Sequence, residues 1–397
     1  MSTQVDGPWV VVVGAGPTGL FLAGELADAG VPTVVLDRVP SPVTSPQGNG
    51  VAGRAAVELQ RRGVLDGAGL RVVRTPRFRF GPLTLDLGLL RSPLHLLPVP
   101  QRRLEELLER WAVARGAVVR RGHDVTGFEQ DDDGVTVHAT ADGMLVDVRA
   151  RYLVGCDGSH SPVRKALGID FPGITSDGIS RQARVTLPAG TIARTRDQVD
   201  LPGVGTVPMF QPVLTGRGSV TLAPMRSLDP SAPDDQYIVS THEERGSADP
   251  SDELPDEELR ASLRRVLGAD LPYTESTSAR SVVGNSRHAT RYRDGRVLLA
   301  GDAAHVFSAG GSAINAGILD AVDLAATLAA SFRGDGGGDL DGYAARRRAA
   351  NERTLVLTRL QHDLQSAGPT GDALRELAAG MLADRRTARR VGALLEG

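Results

Sequence analysis

The chain has 397 residues, more than a single hydrophobic core usually holds, so two lobes that share an interface are expected. Its formal net charge of -3 gives no basic surface, and nucleic-acid binding is therefore not expected. The single cysteine, Cys156, excludes an internal disulfide and a zinc site built on several cysteines.

The N-terminal segment gives no sign of export. Residues Met1 to Pro8 lack the basic region of a signal peptide, and no stretch of transmembrane length is free of charge. We therefore expect a cytoplasmic protein that is not attached to a membrane.

A glycine-rich motif near the start of the chain follows a β-branched run, Trp9 to Val13, which predicts a strand. The motif opens an apolar-periodic segment that predicts a helix. Glycines in such a turn permit the tight bend, let the backbone approach a pyrophosphate and let the helix pack on the strand. Proline suits the first helical turn. The spacing predicts a dinucleotide-phosphate site formed by Gly14, Gly16, Pro17, Thr18 and Gly19.

A second β-branched run, Thr33 to Leu36, ends in Asp37 and Arg38. A carboxylate at this place accepts hydrogen bonds from a ribose diol and repels a 2′-phosphate. We therefore expect the adenosine of FAD or NAD here, and not that of NADP.

Two further motifs stand at the ends of strand-like runs. Gly155-Cys-Asp-Gly158 ends the run that starts at Tyr152, and Gly301-Asp302-Ala-Ala-His305 ends the run that starts at Val297. Either motif alone could be an ordinary turn or a helix cap. Because ligands bind at the carboxyl ends of such strands, the three motifs together indicate one long dinucleotide, FAD, held at three places.

With these motifs the sequence resembles the class A flavoprotein monooxygenases, the para-hydroxybenzoate hydroxylase-like aromatic hydroxylases, over nearly all of its length. The other segments that carry the resemblance are GRAAVEL with Arg54, VPQRRLE with Gln101, YLVGCDGSHSPVR from Tyr152 to Arg164, and RVLLAGDAAHVFSAGGSAINAGILD from Arg296 to Asp320.

The resemblance implies a role for each motif. Asp157 and Gly158 would serve both the flavin and the nicotinamide nucleotide, Asp302 after Gly301 would bind the ribityl chain, and Arg54 and Gln101 would meet the FAD backbone. The turn at Gly310 and Gly311 and the helix after it would direct N–H groups to the N1 and O2 edge of the flavin. Arg54 and Gln101 could instead simply begin solvated helices, and Gly311 could belong to a plain helix N-cap. The remaining cofactor-binding residues expected in this helix are Ile314 and Asn315.

The resemblance also implies the reaction. It is that of an FAD-dependent monooxygenase that consumes NADPH or NADH and O₂ and hydroxylates an aromatic or polyketide-type small molecule through a flavin C4a-hydroperoxide. With one glycine-rich motif in the chain, the nicotinamide would bind only transiently, as in the family. His305 is expected to be a packed or capping residue, so no catalytic base is assigned.

Three other functions compete with this one. A flavin-dependent halogenase is disfavoured. Such an enzyme passes its oxidant through a lysine and carries a Trp-x-Trp-x-x-Pro stretch, whereas here the only lysine, Lys165, lies beside the Asp-Gly motif and Trp9 and Trp111 are isolated. A flavin dehydrogenase or reductase of the same fold stays open, and so does a non-catalytic flavoprotein that binds a pathway intermediate.

The sequence departs from the family pattern beside the flavin. The family usually has His-x-x-Pro-Pro-x-Gly-Gly-Gln-Gly-Met-Asn, whereas this chain has His305-Val-Phe-Ser-Ala-Gly-Gly-Ser-Ala-Ile-Asn315, one residue shorter and without proline. Proline fixes φ, so the loop from Phe307 to Ser312 is expected to be freer than in the family. FAD binding is unaffected by this change, but the geometry of hydroxylation is put in doubt.

The expected fold is α/β: a Rossmann-like FAD-binding domain interleaved with a substrate domain on a mostly antiparallel sheet, followed by C-terminal helices. The expected boundaries are 1–170 and 286–335 for the FAD-binding domain, 171–285 for the substrate domain and 336–397 for the helices. The family's additional thioredoxin-like domain is expected to be absent, and the protein to be a monomer or a homodimer. Substrate-binding candidates are Met209, Phe210, Gln211 and Phe307.

Hydrophobic periodicity predicts the separate elements. Trp111 is expected to pack in a helix core, and the acidic turn Asp131 to Gly134 to hold no metal, because its three aspartates point in different directions. Strands are predicted at 117–120, 125–130, 135–139, 145–149, 181–187, 203–213, 218–225, 236–241 and 275–283, and helices at 103–115, 315–332, 340–361 and 371–395.

Overall fold

The computed structural model describes residues 8–41, 50–75, 77–86, 94–188, 195, 198–201, 205–227, 231–246, 250–251, 253–308, 312–334, 338–365 and 368–396. A six-stranded sheet forms the centre of the first lobe, in the order β20-β21-β12-β1-β2-β8. Its pairings are parallel except for β20 with β21. The strands are β1 (Val10–Val13), β2 (Thr33–Asp37), β8 (Val118–Arg121), β12 (Tyr152–Gly155), β20 (Arg293–Asp294) and β21 (Val297–Leu299).

Each face of this sheet is covered by a different layer. Val10 and Val12 of β1 belong to a core that the helices complete, while Val11 and Val13 belong to a core shared with a three-stranded antiparallel sheet. The alternation follows from the two-residue period of a strand. The helices of the first layer are α1 (Pro17–Asp28), α2 (Gly53–Arg61), α3 (Gln101–Ala114) and α6 (Ser312–Arg333), and the covering strands are β9 (His123–Gln130), β10 (Val135–Ala141) and β11 (Met144–Ala150).

The second lobe is built on an antiparallel sheet in the order β16-β17-β18-β13-β19-β22. One face packs on a helix, α5 (Asp256–Leu267), whose Leu259 and Leu263 lie in a core with Val185 and Val239. The strands are β13 (Gly173–Thr186), β16 (Val213–Thr215), β17 (Gly218–Pro224), β18 (Gln236–Glu244), β19 (Glu275–His288) and β22 (His305–Val306), with a separate hairpin of β14 (Gln198–Leu201) and β15 (Gly205–Pro208).

Smaller elements join the C-terminal helices to the first lobe. Leu85, Leu94 and Ala388 form a small core between a strand layer and the last helix. The strands are β3 (Val51–Ala52), β4 (Val73–Thr75), β5 (Arg77–Phe80), β6 (Leu83–Asp86) and β7 (Leu94–Leu97), and the helices are α4 (Pro162–Ala166), α7 (Leu340–Asp363), α8 (Pro369–Ala383) and α9 (Arg385–Glu396).

Within the described part of the chain, one helical segment, Ala313–Arg333 of α6, is long and apolar enough to cross a membrane. Much of it is buried inside the protein, with Leu324 and Leu328 fully enclosed in the core of the first lobe. Core packing therefore accounts for its apolar composition.

Most predicted elements agree with the structure within a few residues, and the acidic turn and the packed position of Trp111, 6% exposed, are also found. Two predictions were wrong. The strand expected at 203–213 is interrupted after β15, because Phe210 takes a left-handed conformation with φ of 64°. The helix expected at 371–395 breaks at Asp384, whose carboxylate caps α9 by accepting a hydrogen bond from the N–H of Thr387 at 2.8 Å.

Candidate active site

The glycine turn between β1 and α1 has three glycines with three different tasks. Gly14 has φ of 105°, and a Cβ there would overlap the carbonyl group of Cys156. A Cβ on Gly19 would overlap the carbonyl oxygen of Gly14, so this glycine lets the helix pack on the turn. A Cβ on Gly16 would meet no protein atom within 4 Å. Gly16 therefore borders open space at the N-terminus of α1, where no side chain caps the helix and its N–H groups can receive a pyrophosphate.

A cavity of about 240 Å³ extends from this turn. Asp37 stands in its wall, where the carboxylate accepts hydrogen bonds from the N–H groups of Ala15 at 2.6 Å and Val39 at 2.7 Å. These bonds fix the acid at the carboxyl end of β2. Seven residues expected to bind the cofactor line this cavity: Gly14, Gly16, Asp37, Arg38, Gln101, Asp157 and Gly158.

Five charged or titratable residues in the same cavity were not predicted. Glu105 is 6% exposed and accepts a hydrogen bond from the side chain of Gln101 at 2.8 Å, and burial raises the pKa of its carboxyl. Sequence spacing does not identify such residues, because they come from α3 and from the ends of β8 and β9. The five are Arg102, Glu105, Arg121, His123 and Asp124.

Asp157 tests whether this cavity fits a dinucleotide. Its Oδ2 accepts a hydrogen bond from the N–H of Val163 at 3.0 Å, but its buried Oδ1 has no partner among the described residues. Burial raises the pKa of this carboxyl. Because an unpaired buried carboxylate oxygen is costly, a hydroxyl group of a bound dinucleotide would satisfy it. The residues present therefore fit FAD.

The third motif contacts the first through Thr18. A Cβ on Gly301, whose φ is 62°, or on Gly317 of α6 would collide with the Thr18 hydroxyl. Thr18 thus fills the space between the glycine turn and the start of α6. Asp302 is exposed beside this contact, and its carboxylate forms no hydrogen bond or ion pair with the described residues.

Arg164 ties the second motif to the third and was not predicted as a site residue. Its guanidinium donates hydrogen bonds to the carbonyl groups of Ala303 and Ser159, both at 2.9 Å, and lies 3.8 Å from the centre of the Phe171 ring. Burial lowers the pKa of this guanidinium. The residue stands in the quoted motif, but only the fold shows that it spans to Ala303.

His305 is fully buried, in agreement with the expected packed role. Its Nε2 lies 2.6 Å from Oδ2 of Asp320, which also accepts a hydrogen bond from the N–H of Gly301 at 3.0 Å. The other oxygen of Asp320 accepts from Arg347 at 2.8 Å and Asn351 at 3.0 Å. Burial opposes ionisation of Asp320, but His305 and Arg347 hold its pKa well below the usual range. Asp320 therefore fixes the third motif to α7.

Several predicted residues lie outside this cavity. Arg54 is 57% exposed in its side chain and contacts Glu58 at 3.4 Å. Asn315 accepts a hydrogen bond from the N–H of Ala52 at 2.9 Å, which joins the start of α6 to β3, and Ile314 packs against the core of the first lobe. Pro17 occupies the first turn of α1. Ala309, Gly310 and Gly311 lie outside the described residues.

The substrate-binding candidates are not brought together. Met209 is 5% exposed in the core of the second lobe, whereas the next residue, Phe210, is 46% exposed. Gln211 follows in the half-buried connection to β16. Phe307 is stacked on His305 at 4.9 Å and packs against Leu355.

A larger cavity, of about 600 Å³, lies between the second-lobe sheet and α7. Its wall includes Ser308, which belongs to the shortened loop, and His242 and His362, whose ring centres are 5.3 Å apart. It was not predicted, because its walls come from strands and a helix that are far apart in sequence.

Comparison with known proteins gives matches over nearly the whole chain. The FAD binding domain model matches residues 9–358. The 12-dehydrotetracycline 5-monooxygenase/anhydrotetracycline 6-monooxygenase of Streptomyces rimosus is 39% identical over 396 residues, which cover 97% of this chain and 75% of the relative. Dialkyldecalin synthase of Streptomyces rugosporus is 36% identical, covering 93% of this chain and 76% of the relative. The structure of an aromatic hydroxylase from angucycline biosynthesis has a TM-score of 0.84 and 31% identity, covering 99% of this chain and 76% of that one.

Proposed function

As a member of this FAD-binding family of class A flavoprotein monooxygenases, the chain is an FAD-dependent oxidoreductase, and we propose that it hydroxylates a polyketide-derived aromatic ring. The structural observation that supports flavin chemistry is the cofactor cavity at the open glycine turn, where an Asp157 oxygen is unpaired among the described residues and Thr18 joins the turn to the third motif.

When bound, FAD supplies the electron transfer and the reaction with O₂ that protein side chains cannot provide. The chain's own residues bind and orient it. Gly16 would leave room for the pyrophosphate, Asp37 would hold the ribose, and Asp157 and Asp302 would accept hydrogen bonds from the hydroxyl groups of FAD. Arg164 holds the second motif to the third by donating a hydrogen bond to Ala303, and Asp320 holds the third motif by accepting a hydrogen bond from Gly301.

The reductant is NADPH or NADH, which we propose to bind transiently near Arg54. This arginine has an exposed side chain, and among the described residues its one ion pair is with Glu58 at 3.4 Å, so its guanidinium is available to an incoming phosphate. Asp37 disfavours a 2′-phosphate only at the FAD site, so it does not decide between the two reductants.

The substrate assignment rests on the relatives. The relatives' names refer to anhydrotetracycline and to angucycline biosynthesis, both of which point to fused aromatic rings. We propose a small-molecule aromatic substrate and O₂ as partners. We also propose residues 171–285 as the substrate domain, residues 1–170 and 286–335 as the FAD-binding domain, and the C-terminal helices at 336–397. We also propose a cytoplasmic monomer or homodimer that engages neither nucleic acid nor membrane.

A second candidate is favoured by one observation, the 36% identity to dialkyldecalin synthase. That name describes ring formation, a reaction that inserts no oxygen. In this case FAD would be retained as a bound group, and a substrate would be converted without consumption of NAD(P)H.

One experiment separates the two candidates. FAD-loaded protein is supplied with NADPH or NADH, isotopically labelled O₂ and a panel of hydroxylated anthraquinones and tetracyclic phenols, and products are analysed by mass spectrometry. Incorporation of one labelled oxygen atom per product supports hydroxylation. Product formation without label or NAD(P)H consumption supports ring formation, and NAD(P)H oxidation with no labelled product supports a dehydrogenase.

A further inference from the structure

The start of the shortened loop, Phe307 and Ser308, makes contacts that the FAD site does not use. The family pattern has two prolines in this loop, and this chain has Ser308 and Ala309 in their place. Proline restricts φ, so its absence alone predicts a freer backbone. The structure describes Phe307 and Ser308, the loop start, and α7 supplies contacts that restrict both residues.

The Phe307 ring is packed between His305 and α7. It stacks on the His305 ring with the ring centres 4.9 Å apart, and it shares a small buried core with Leu355. Leu355 is 7% exposed, whereas the next residue of α7, Val356, is 60% exposed. The contact with Phe307 therefore depends on one side chain of the helix and not on its general apolar character.

Ser308 is held by the same turn of the helix. Its hydroxyl donates a hydrogen bond to the carbonyl oxygen of Thr358 at 3.3 Å. Thr358 is buried, and its own hydroxyl donates to the carbonyl oxygen of Leu355 at 3.1 Å. Both residues of the loop start are thus in contact with one well-packed turn of α7.

The same face of α7 also fixes the residue that leads into the loop. His305 lies on β22, which pairs with β19, and its Nε2 is 2.6 Å from Oδ2 of Asp320. The other oxygen of Asp320 accepts hydrogen bonds from two side chains of α7. Residues three or four apart lie on one face of a helix. The α7 residues that make these contacts follow that spacing: Arg347, Asn351, Leu355 and Thr358.

We propose that this face of α7 takes the place of the missing prolines, and that Leu355 and Thr358 are positioning residues that keep the loop start fixed beside the flavin. The inference rests on the proposed function, because it concerns a bound flavin that reacts with O₂. Ser308 borders the larger cavity, and the family resemblance places this loop beside the flavin. Without a substrate, reduced flavin passes two electrons and two protons to O₂ and forms hydrogen peroxide. A fixed loop start slows this loss by keeping water from the flavin.

The first test is hydrogen–deuterium exchange of the apoprotein and the FAD-loaded protein, followed on peptides that contain the loop start. Leu355→Ala is expected to raise the exchange rate of these peptides at least about tenfold, because it opens space beside Phe307. Val356→Ala is the matched control, one position along the same helix, and is expected to exchange at the wild-type rate. Leu355→Met conserves the side-chain volume and is expected to behave like the wild type.

Two further variants separate a local effect from a loss of overall stability. Ser308→Ala removes only the hydrogen bond to Thr358, and a smaller rise in exchange is expected from it. Ser308→Pro added to Leu355→Ala is expected to slow the exchange again, because the proline ring restores the restriction of φ that α7 no longer provides. A general loss of stability would not be rescued at one segment in this way.

The second measurement is the rate of peroxide formation when photoreduced, FAD-loaded protein is mixed with O₂ in the absence of substrate. Leu355→Ala is expected to form peroxide several-fold faster than the wild type, and Val356→Ala and Leu355→Met at the wild-type rate. Unchanged exchange in both Leu355→Ala and Ser308→Ala, equal exchange in Leu355→Ala and Val356→Ala, or faster exchange without faster peroxide formation would overturn the proposal. Neither measurement uses a substrate, so a missing labelled product would refute hydroxylation and leave this inference intact.

Discussion

Replacing Asp320 by asparagine tests whether the third motif is held in place by α7. The aspartate is fully buried and accepts four hydrogen bonds, and the substitution removes the ion-pair partner that the Arg347 guanidinium, 14% exposed in its side chain, has among the described residues. Breaking a buried pair in this way costs about 3–5 kcal/mol, a large share of the roughly 5–15 kcal/mol by which domains are stable. Urea unfolding of the apoprotein measures the loss.

Asp323→Asn is the matched control on the same helix. Asp323 pairs with the neighbouring arginine, Arg346, at 2.6 Å, but that guanidinium is 53% exposed. We therefore expect a loss below about 1 kcal/mol. Equal losses in the two variants would refute the argument that burial makes the Asp320 network stabilising.

The pH dependence of the Asp320 effect follows from the direction of its pKa. Because the folded-state pKa is depressed, the carboxylate stabilises the protein above the unfolded pKa of about 3.9, and this stability is lost as the pH falls through the folded value. The difference between wild type and Asp320→Asn is expected to stay constant from about pH 5 to about pH 8 and to shrink below about pH 4.

The remaining predictions concern the flavin. Gly14→Val is expected to give colourless or insoluble protein, because its side chain would overlap Cys156, whereas Gly16→Ala is expected to fold and to lose FAD affinity; absorbance of the purified proteins and of released FAD distinguishes them. Asp302→Ala is expected to weaken FAD binding by about 1.5–3 kcal/mol in a titration of apoprotein. An unchanged affinity would show that Asp302 is only a helix cap and does not bind FAD. Arg54→Ala is expected to slow flavin reduction by NAD(P)H in anaerobic stopped flow with little loss of FAD, and wild-type rates would contradict a contact with the nucleotide.

The parts of the fold that could be predicted are those whose cause is local. Val10 to Val13 and Thr33 to Leu36 are runs rich in β-branched residues, which favour strands. The motif glycines beside them occupy positions in a tight turn where a side chain would overlap neighbouring atoms. The strands β3 to β7 were not predicted. They are two to four residues long and are stabilised by pairing with each other and by the C-terminal helices, so no sequence period marks them.

The parts of the site that could not be predicted depend on contacts between distant segments. Asp320 and Arg347 lie on different helices, and nothing in the surroundings of either residue in the sequence marks it as more than an ordinary helix charge. Asp323 and Arg346 have the same residue types and almost the same spacing, yet their pair is more exposed. Only the packing of α6 on α7 buries the pair of Asp320 and Arg347, which holds the third motif, and leaves the pair of Asp323 and Arg346 at the surface. The same reasoning applies to His242 of β18 and His362 of α7, which are distant in sequence and whose ring centres lie 5.3 Å apart. The FAD motifs can therefore be recognised in the sequence, whereas the cavity between α7 and the second-lobe sheet is formed only by the packing of segments that are distant in sequence.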